Sequence, residues 1–239
     1  MTVSHEGDLS PVRTRLTRRR RAISRRLVES VTTKPPVTLH STSPAATLVS
    51  VVRDPDPRVT VSGYVASAVA KTLRNHSEMN AHVIEDELHT FAEVNLGIAV
   101  DVQAGLVVPV VRNADRSSPA ELTAEIGALA AAARDGTLRP EQLAGATFTI
   151  SNLGALGVEH FTPIIDPPQV AVLGVGAIKE VPVWDGNSWV ASHVLYLSLS
   201  FDHGAVDGAP AARFLADLVA ELSRSREVVA SVGISKGDK

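Results

Sequence analysis

The chain has 239 residues, 44% of them hydrophobic, a formal net charge of −3 and no cysteine. This is enough apolar material for the core of one large domain, and zero cysteines exclude disulfides, thiolate metal sites and a cysteine nucleophile. The charge gives no global attraction to nucleic acid or an anionic membrane, no apolar stretch is as long as a membrane span, and the start MTVSHEGDLSPVRTR lacks the apolar core of a secretory signal, so a cytoplasmic protein is expected.

Residues 1–14 are expected to form a disordered or extended N-terminal arm ahead of a domain over 15–230. In RLTRRRRAISRRLVES, Ile23, Leu27 and Val31 recur at four-residue spacing with arginines between them, and KPP at 34–36 stops the pattern. That predicts an amphipathic helix with a solvated basic face. The run Arg18–Arg21 lacks the interleaved aromatics or second basic face of a nucleic-acid site, so no nucleic-acid partner is expected. VTLHSTS reads as a strand, and Ser62 is expected to cap a helix burying Val65, Ala68, Val69, Thr72 and Leu73.

Three strand-like runs follow, AHVIEDEL, VNLGIAVDV and GLVVPVVR, the last two joined by QAG as a hairpin would be, with Pro109 implying an edge or a bulge. In SSPAELTAEIGALAAAARDG, Ser118 and Glu121 make a capping box, Pro119 takes the first helical position and Gly136 ends the helix. TFTISNLG, QVAVLGVGAI, VPVW and HVLYLSLSF then give a strand-rich second half. The last run ends in SFDHGAVDGAP, beyond which Phe214, Leu215, Leu218, Val219 and Leu222 repeat at helical spacing. The mixture predicts one α/β domain, a two-layer mixed sheet with helices packed on it. His203 falls at a strand end, and Asp207 stands where a helix N-cap belongs.

Four ordered blocks, RRAISRRLVES, VNLGIAVDVQAGLVVPVVR, TFTISNLGALGVEHFTPIIDPPQVAVLGVG and SFDHGAVDGAPAARFL, resemble the catalytic domain of the dihydrolipoamide acyltransferases, the E2 components of 2-oxo acid dehydrogenase complexes. With their spacers they cover residues 15–225. The resemblance implies the chloramphenicol acetyltransferase-like fold and acyl transfer between a lipoyl-type or phosphopantetheine thiol and coenzyme A. It further implies His203 as the general base that deprotonates the attacking thiol, Ser151 as the hydroxyl donating to the thioester oxyanion, and Asp207 as catalytic support. Gly208 and Asn152 are expected in supporting places, with Arg20 a candidate ion-pair partner of Asp207. Neither a metal nor an acyl-serine is needed: direct thiol attack suffices, and the surroundings of Ser151 are not G-x-S-x-G.

The same resemblance implies a homotrimer with its site between neighbours, and larger shells of trimers in some members. The polar stretch REVVASVGISKGDK, with residues 231–239 as a tail, favours the trimer over the shell. The lipoyl or phosphopantetheine arm is expected from another domain or chain, a lipoyl-domain or acyl-carrier protein, with a thiamine-dependent E1-type dehydrogenase as a further partner. SNLG resembles acetyl- and branched-chain-transferring members. Gly204 stands where the family usually has arginine, which is expected to loosen the loop that aims His203 and motivates an impaired, scaffold-like reading as one alternative, beside acyl transfer to or from an acyl carrier protein in a biosynthetic pathway.

Overall fold

In a computed structural model the chain is described over residues 11–56, 58–103 and 105–224. The expected tail at 231–239 and most of the expected N-terminal arm lie outside the described residues. In chain order the elements are α1 (Arg18–Thr33), β1 (Pro36–Pro44), α2 (Ala46–Arg53), α3 (Val61–Leu73), β2 (Ala81–Ile84), β3 (Glu87–Thr90), β4 (Leu96–Ile98), β5 (Val100–Val102), β6 (Gly105–Val107), β7 (Val110–Val111), α4 (Pro119–Asp135), β8 (Phe148–Asn152), β9 (Ala171–Trp184), β10 (Trp189–Asp202) and α5 (Gly208–Leu222). Six strands form one sheet in the order β1-β10-β9-β8-β4-β7, with β8 parallel to both β9 and β4 and the other pairs antiparallel. The expected mixed sheet with helices against it is therefore the observed architecture.

Strand alternation divides this sheet into two faces of different chemistry. On one, Leu39, Leu199, Leu173 and Ile150 stand in a single cross-strand row, and Leu195, Leu197, Phe201 and Phe148 continue the apolar surface. Phe148 meets Phe214 of α5 at 5.8 Å between ring centroids, which puts the core under the helices. On the other face the rows read Thr38, Ser200, Val172, Thr149 and His40, Ser198, Gly174, Ser151. Residues 158–168 cross this polar face. Phe161 would crowd a Cβ on Gly174 at 2.9 Å, and Ile165 accepts a 2.6 Å hydrogen bond from Ser30 of α1.

Helix α3 lies between α4, α5 and the sheet, so the expected buried residues Val65, Ala68, Val69, Thr72 and Leu73 are buried. A Cβ on Gly63 would fall 2.1 Å from Thr123 Oγ1, so only glycine allows this approach of α3 to α4. The cap of α3 is Thr60 rather than Ser62: Thr60 is extended (φ −98°, ψ 162°), its Oγ1 accepts the Gly63 N–H, and its own N–H donates to Thr123 Oγ1. Ser62 sits one turn position inside the helix. The capping box at Ser118 and Glu121 and the left-handed Gly136 bound α4 as expected.

Two of the three expected strand runs are interrupted and one folds on itself. AHVIEDEL is the β2–β3 hairpin, turning at Glu85, whose φ is +54°. Pro109 separates β6 from β7 because it lacks an N–H, and β7 ends the main sheet as its edge strand. Between β4 and β5 the chain leaves the sheet at Ala99, and β5–β6 form the expected QAG hairpin apart from it. QVAVLGVGAI and VPVW are one continuous strand, β9. Its hairpin with β10 closes at the facing pair Trp184 and Trp189, rings 5.7 Å apart and 53% and 70% exposed. The sequence pattern did not predict α2.

Candidate active site

His203 directly follows β10, and the turn beneath it is tightly held. Its N–H donates to the Pro35 carbonyl at 2.9 Å, and the Asp202 carbonyl accepts from Ala205 and Val206. The Asp202 carboxylate splits its two oxygens: Oδ1 accepts the Gly204 N–H at 3.0 Å, and Oδ2 pairs with Lys34 Nζ at 3.0 Å. Both side chains of that ion pair are buried, 7% and 6% exposed. Lys34 caps the C-terminus of α1, extended because a proline follows, so the pair ties the first helix to the histidine turn. The anchors of the loop around Gly204 in this structure are backbone groups and the Asp202 carboxylate. Sequence reasoning missed Lys34 and Asp202; 168 residues separate them and no motif links them.

The His203 ring rests on Phe201 at 5.7 Å, is exposed, and makes no hydrogen bond among the described residues. Asp207 holds the N-cap position of α5 (φ −73°, ψ 161°), and its carbonyl accepts the Ala211 N–H, but its side chain makes no capping bond. The expected side-chain cap is thus absent. A Cβ on Gly208 would lie at ordinary contact distance, 3.9 Å, from His203 Nε2, so no close backbone approach demands this glycine. Arg20 makes no ion pair with Asp207 among the described residues. It stands fourteen positions before Lys34, about 20 Å along a helix axis, at the other end of α1 from this turn.

Ser151 is on β8, on the polar face, and its hydroxyl has no partner among the described residues. It lines a cavity of about 640 Å³ whose other walls include Ile23 and Leu27 of α1, Phe161, Thr149, Gln169 and His82. At the mouth Arg26 Nε meets Asp166 at 2.6 Å. Burial pushes the Asp166 carboxyl up, and Arg26 opposes that shift. Asn152 shapes the strand end: its Oδ1 accepts the Gly154 N–H at 2.9 Å and its Nδ2 donates to Ser62 at 3.3 Å.

His82 was also missed by sequence reasoning, since a lone histidine in a strand carries no chemical signal. Its Nε2 lies 2.8 Å from the Ala146 carbonyl, and its ring meets Phe91 edge-on at 4.6 Å. Burial, foremost, lowers its pKa below the usual imidazole value, with the hydrogen bond to Ala146 opposing.

One chain does not bring His203 and Ser151 together. Ser151 shares a row with Gly174 and Ser198. Asp202, the residue before His203, is four residues farther along β10, about 13 Å, with two strand spacings of ~4.8 Å between. The apolar side of α1 is only partly covered: Ile23 and Leu27 are half-buried, and Val28 and Val31 are 55% and 47% exposed. Among the described residues no group of three or more His, Asp or Glu side chains converges as a metal site would, and no helix is long and apolar enough to cross a membrane.

Residues 9–230 match the family described as 2-oxoacid dehydrogenases acyltransferase (catalytic domain). The chain belongs to that family. Its curated relatives include the dihydrolipoyllysine-residue acetyltransferase components of the acetoin cleaving system and of the pyruvate dehydrogenase complex of Bacillus subtilis. Each is 40% identical, over 82% and 86% of this chain, but over 51% and 49% of the relative. The chain thus spans about half the length of these acyltransferase-family relatives. Among solved structures, the Azotobacter vinelandii dihydrolipoamide acetyltransferase superposes with a TM-score of 0.88 at 33% identity, covering 96% of this chain and 98% of that one. A chloramphenicol acetyltransferase superposes at 0.56 with 12% identity, covering 80% and 89%, so the two share the fold.

Proposed function

We propose that this chain is the catalytic unit of a dihydrolipoyllysine-residue acyltransferase, moving an acetyl-type group between coenzyme A and a dihydrolipoyl arm carried by another domain or chain. The observation that carries this reading is a spacing. In the Azotobacter enzyme a serine, a histidine and an asparagine were investigated for their catalytic roles, and they stand 52 and 4 residues apart. Ser151, His203 and Asp207 have the same separations, with aspartate here in the asparagine's place.

In this reading the neutral His203 imidazole takes the proton of the attacking thiol. The sulfur forms its bond to the thioester carbonyl carbon, and the oxygen, now negative, accepts a hydrogen bond from Ser151 Oγ. As the tetrahedral centre collapses, the old carbon–sulfur bond breaks and the leaving thiolate takes the proton back from His203. Asp207 immediately precedes Gly208, whose Cβ position lies 3.9 Å from His203 Nε2, and acts by shaping the turn that carries the imidazole.

Because the two groups lie far apart in one chain, the working site takes His203 from one copy and Ser151 from the next, in a ring of head-to-tail contacts such as a homotrimer. The half-covered face of α1, bordering the Ser151 cavity, supports that contact. A lipoyl-bearing domain and a thiamine-dependent dehydrogenase would supply the acyl arm, in the cytoplasm.

The test is transfer from acetyl-CoA to dihydrolipoamide by wild type, His203→Ala, Ser151→Ala and the two inactive variants co-expressed. Both single variants lose activity, and co-expression restores it in about one interface in four by random mixing. Absence of wild-type turnover with any thiol acceptor would favour a non-catalytic scaffold, and unrestored activity in the mixture would place both groups in one chain.

A further inference from the structure

The cavity floor continues past Ser151 in a definite order. Thr149, two residues back on the same face of β8, is about 7 Å away. Its Oγ1 donates to Gln169 Oε1 at 2.7 Å, and Gln169 faces His82 across an antiparallel bridge, whose partners sit ~5 Å apart. His82 therefore stands beyond Thr149 and Gln169 as seen from Ser151, within one apolar-walled cavity that both line.

The imidazole is fixed in orientation and in tautomer. A carbonyl oxygen only accepts, so the 2.8 Å contact to Ala146 requires the proton on Nε2. Edge-on packing against Phe91 holds the ring, and the backbone around it is stitched down, with Val83 N–H donating to Pro168 and Val170 N–H to Ala81. Nδ1 has no partner among the described residues, yet it is not among their sealed, unpartnered polar atoms. The half-buried imidazole, held with its proton on Nε2, thus keeps a free lone pair on Nδ1, and the residue lines the cavity. Nothing in the transfer chemistry at Ser151 uses it.

Both thiol arms of the proposed reaction carry an amide several bonds away from the reacting sulfur. In an extended dihydrolipoyl or pantetheine chain an amide nitrogen lies about seven to nine bonds from the reacting sulfur, roughly 8–11 Å at the rise per bond of an extended chain. We propose that His82 reads this amide: its Nδ1 accepts the hydrogen bond of the arm's N–H and so registers the sulfur beside Ser151. His82 is a positioning residue, remote from the reacting atoms. The inference rests on the transferase reading above and adds a specificity element to it.

The experiment compares wild type, His82→Gln and His82→Asn in steady-state acetyl transfer. Glutamine reaches the place of Nε2 and keeps the Ala146 bond, whereas asparagine keeps an acceptor near the place of Nδ1. Dihydrolipoamide is set against dihydrolipoic acid methyl ester, which has no N–H, and acetyl-pantetheine against S-acetyl-N-acetylcysteamine, which ends before the second amide.

For one of the two arms, His82→Gln raises KM for the amide-bearing compound about 3- to 10-fold, the range of one neutral hydrogen bond. It moves kcat and the KM of the amide-free partner less than twofold, and His82→Asn recovers most of the loss. The arm that responds identifies which thiol carrier the cavity holds. Equal KM changes with and without the amide, or none in either pair, would overturn the role of His82 while leaving the transferase reading intact. Failure of wild type to turn over any of the four compounds sinks both.

Discussion

The turn that carries His203 and the strand end that carries Ser151 are built on opposite plans. The first is rigid below and open above: a buried ion pair, a carboxylate shared between a lysine and a backbone N–H, and an aromatic ring support an imidazole that touches nothing else. The second is enclosed by apolar walls, and its hydroxyl is left free inside them. An imidazole presented outward on a stiff mount and a hydroxyl lining a cavity are complementary halves of the proposed site. The contrast agrees with the proposed site in which each half meets its counterpart on another copy.

Removing the imidazole tests the exposed half most severely. His203→Ala is expected to lower kcat by about 10²- to 10⁴-fold with no change in melting temperature, since the ring buries little; a fall in both would mean a structural role. The mount is tested by Lys34→Met, which leaves the Asp202 carboxylate buried without its cation. Chemical denaturation should show a loss of about 3–5 kcal/mol, and a near-neutral result would show that the turn does not depend on the pair.

Ser151→Ala probes the enclosed half. A drop of roughly 10²- to 10³-fold in kcat with little change in KM is expected for a lost oxyanion donor. Smaller still is the effect of pH through His82. Burial holds its pKa below the ordinary 6.5, so in the window below 6.5 the unfolded chain binds a proton that the folded chain refuses. Stability therefore falls as pH drops through that window, and His82→Gln should flatten this part of a melting-temperature profile against pH. The least change is expected from Asp207→Ala: without a side-chain cap to lose, its stability should shift by less than the ~0.5–2 kcal/mol of a functioning cap, while any loss of rate reports its place beside His203.

Features encoded by neighbours in the chain were readable in advance. The capping box at Ser118, the helical stripe from Phe214 to Leu222, and the strand ending at His203 each consist of contacts within a few residues, and each stands where expected. The cap of α3 was misplaced because Thr60 and Ser62 are both capping residue types; the contact with Thr123, 63 residues away, favours Thr60. Helix α2 is rich in β-branched residues, which disfavour helix locally, and burial of Leu48 and Val51 overrides that preference. Of the candidate site, the motif residues could be named from the sequence, but Lys34, Asp202 and His82 have partners brought in by tertiary folding. Nor could the pattern reveal that His203 and Ser151 occupy different levels of the sheet, because register is set by pairing across β8, β9 and β10.

Both tryptophans of the chain close the β9–β10 hairpin, and Trp189 is twelve residues before Phe201, about 40 Å by strand rise. Intrinsic fluorescence will consequently report on that hairpin tip and be nearly blind to either half of the site. An optical titration with a thiol ligand that shows no signal would say nothing about occupancy, so calorimetry or an amide-exchange readout on β8 is the appropriate instrument.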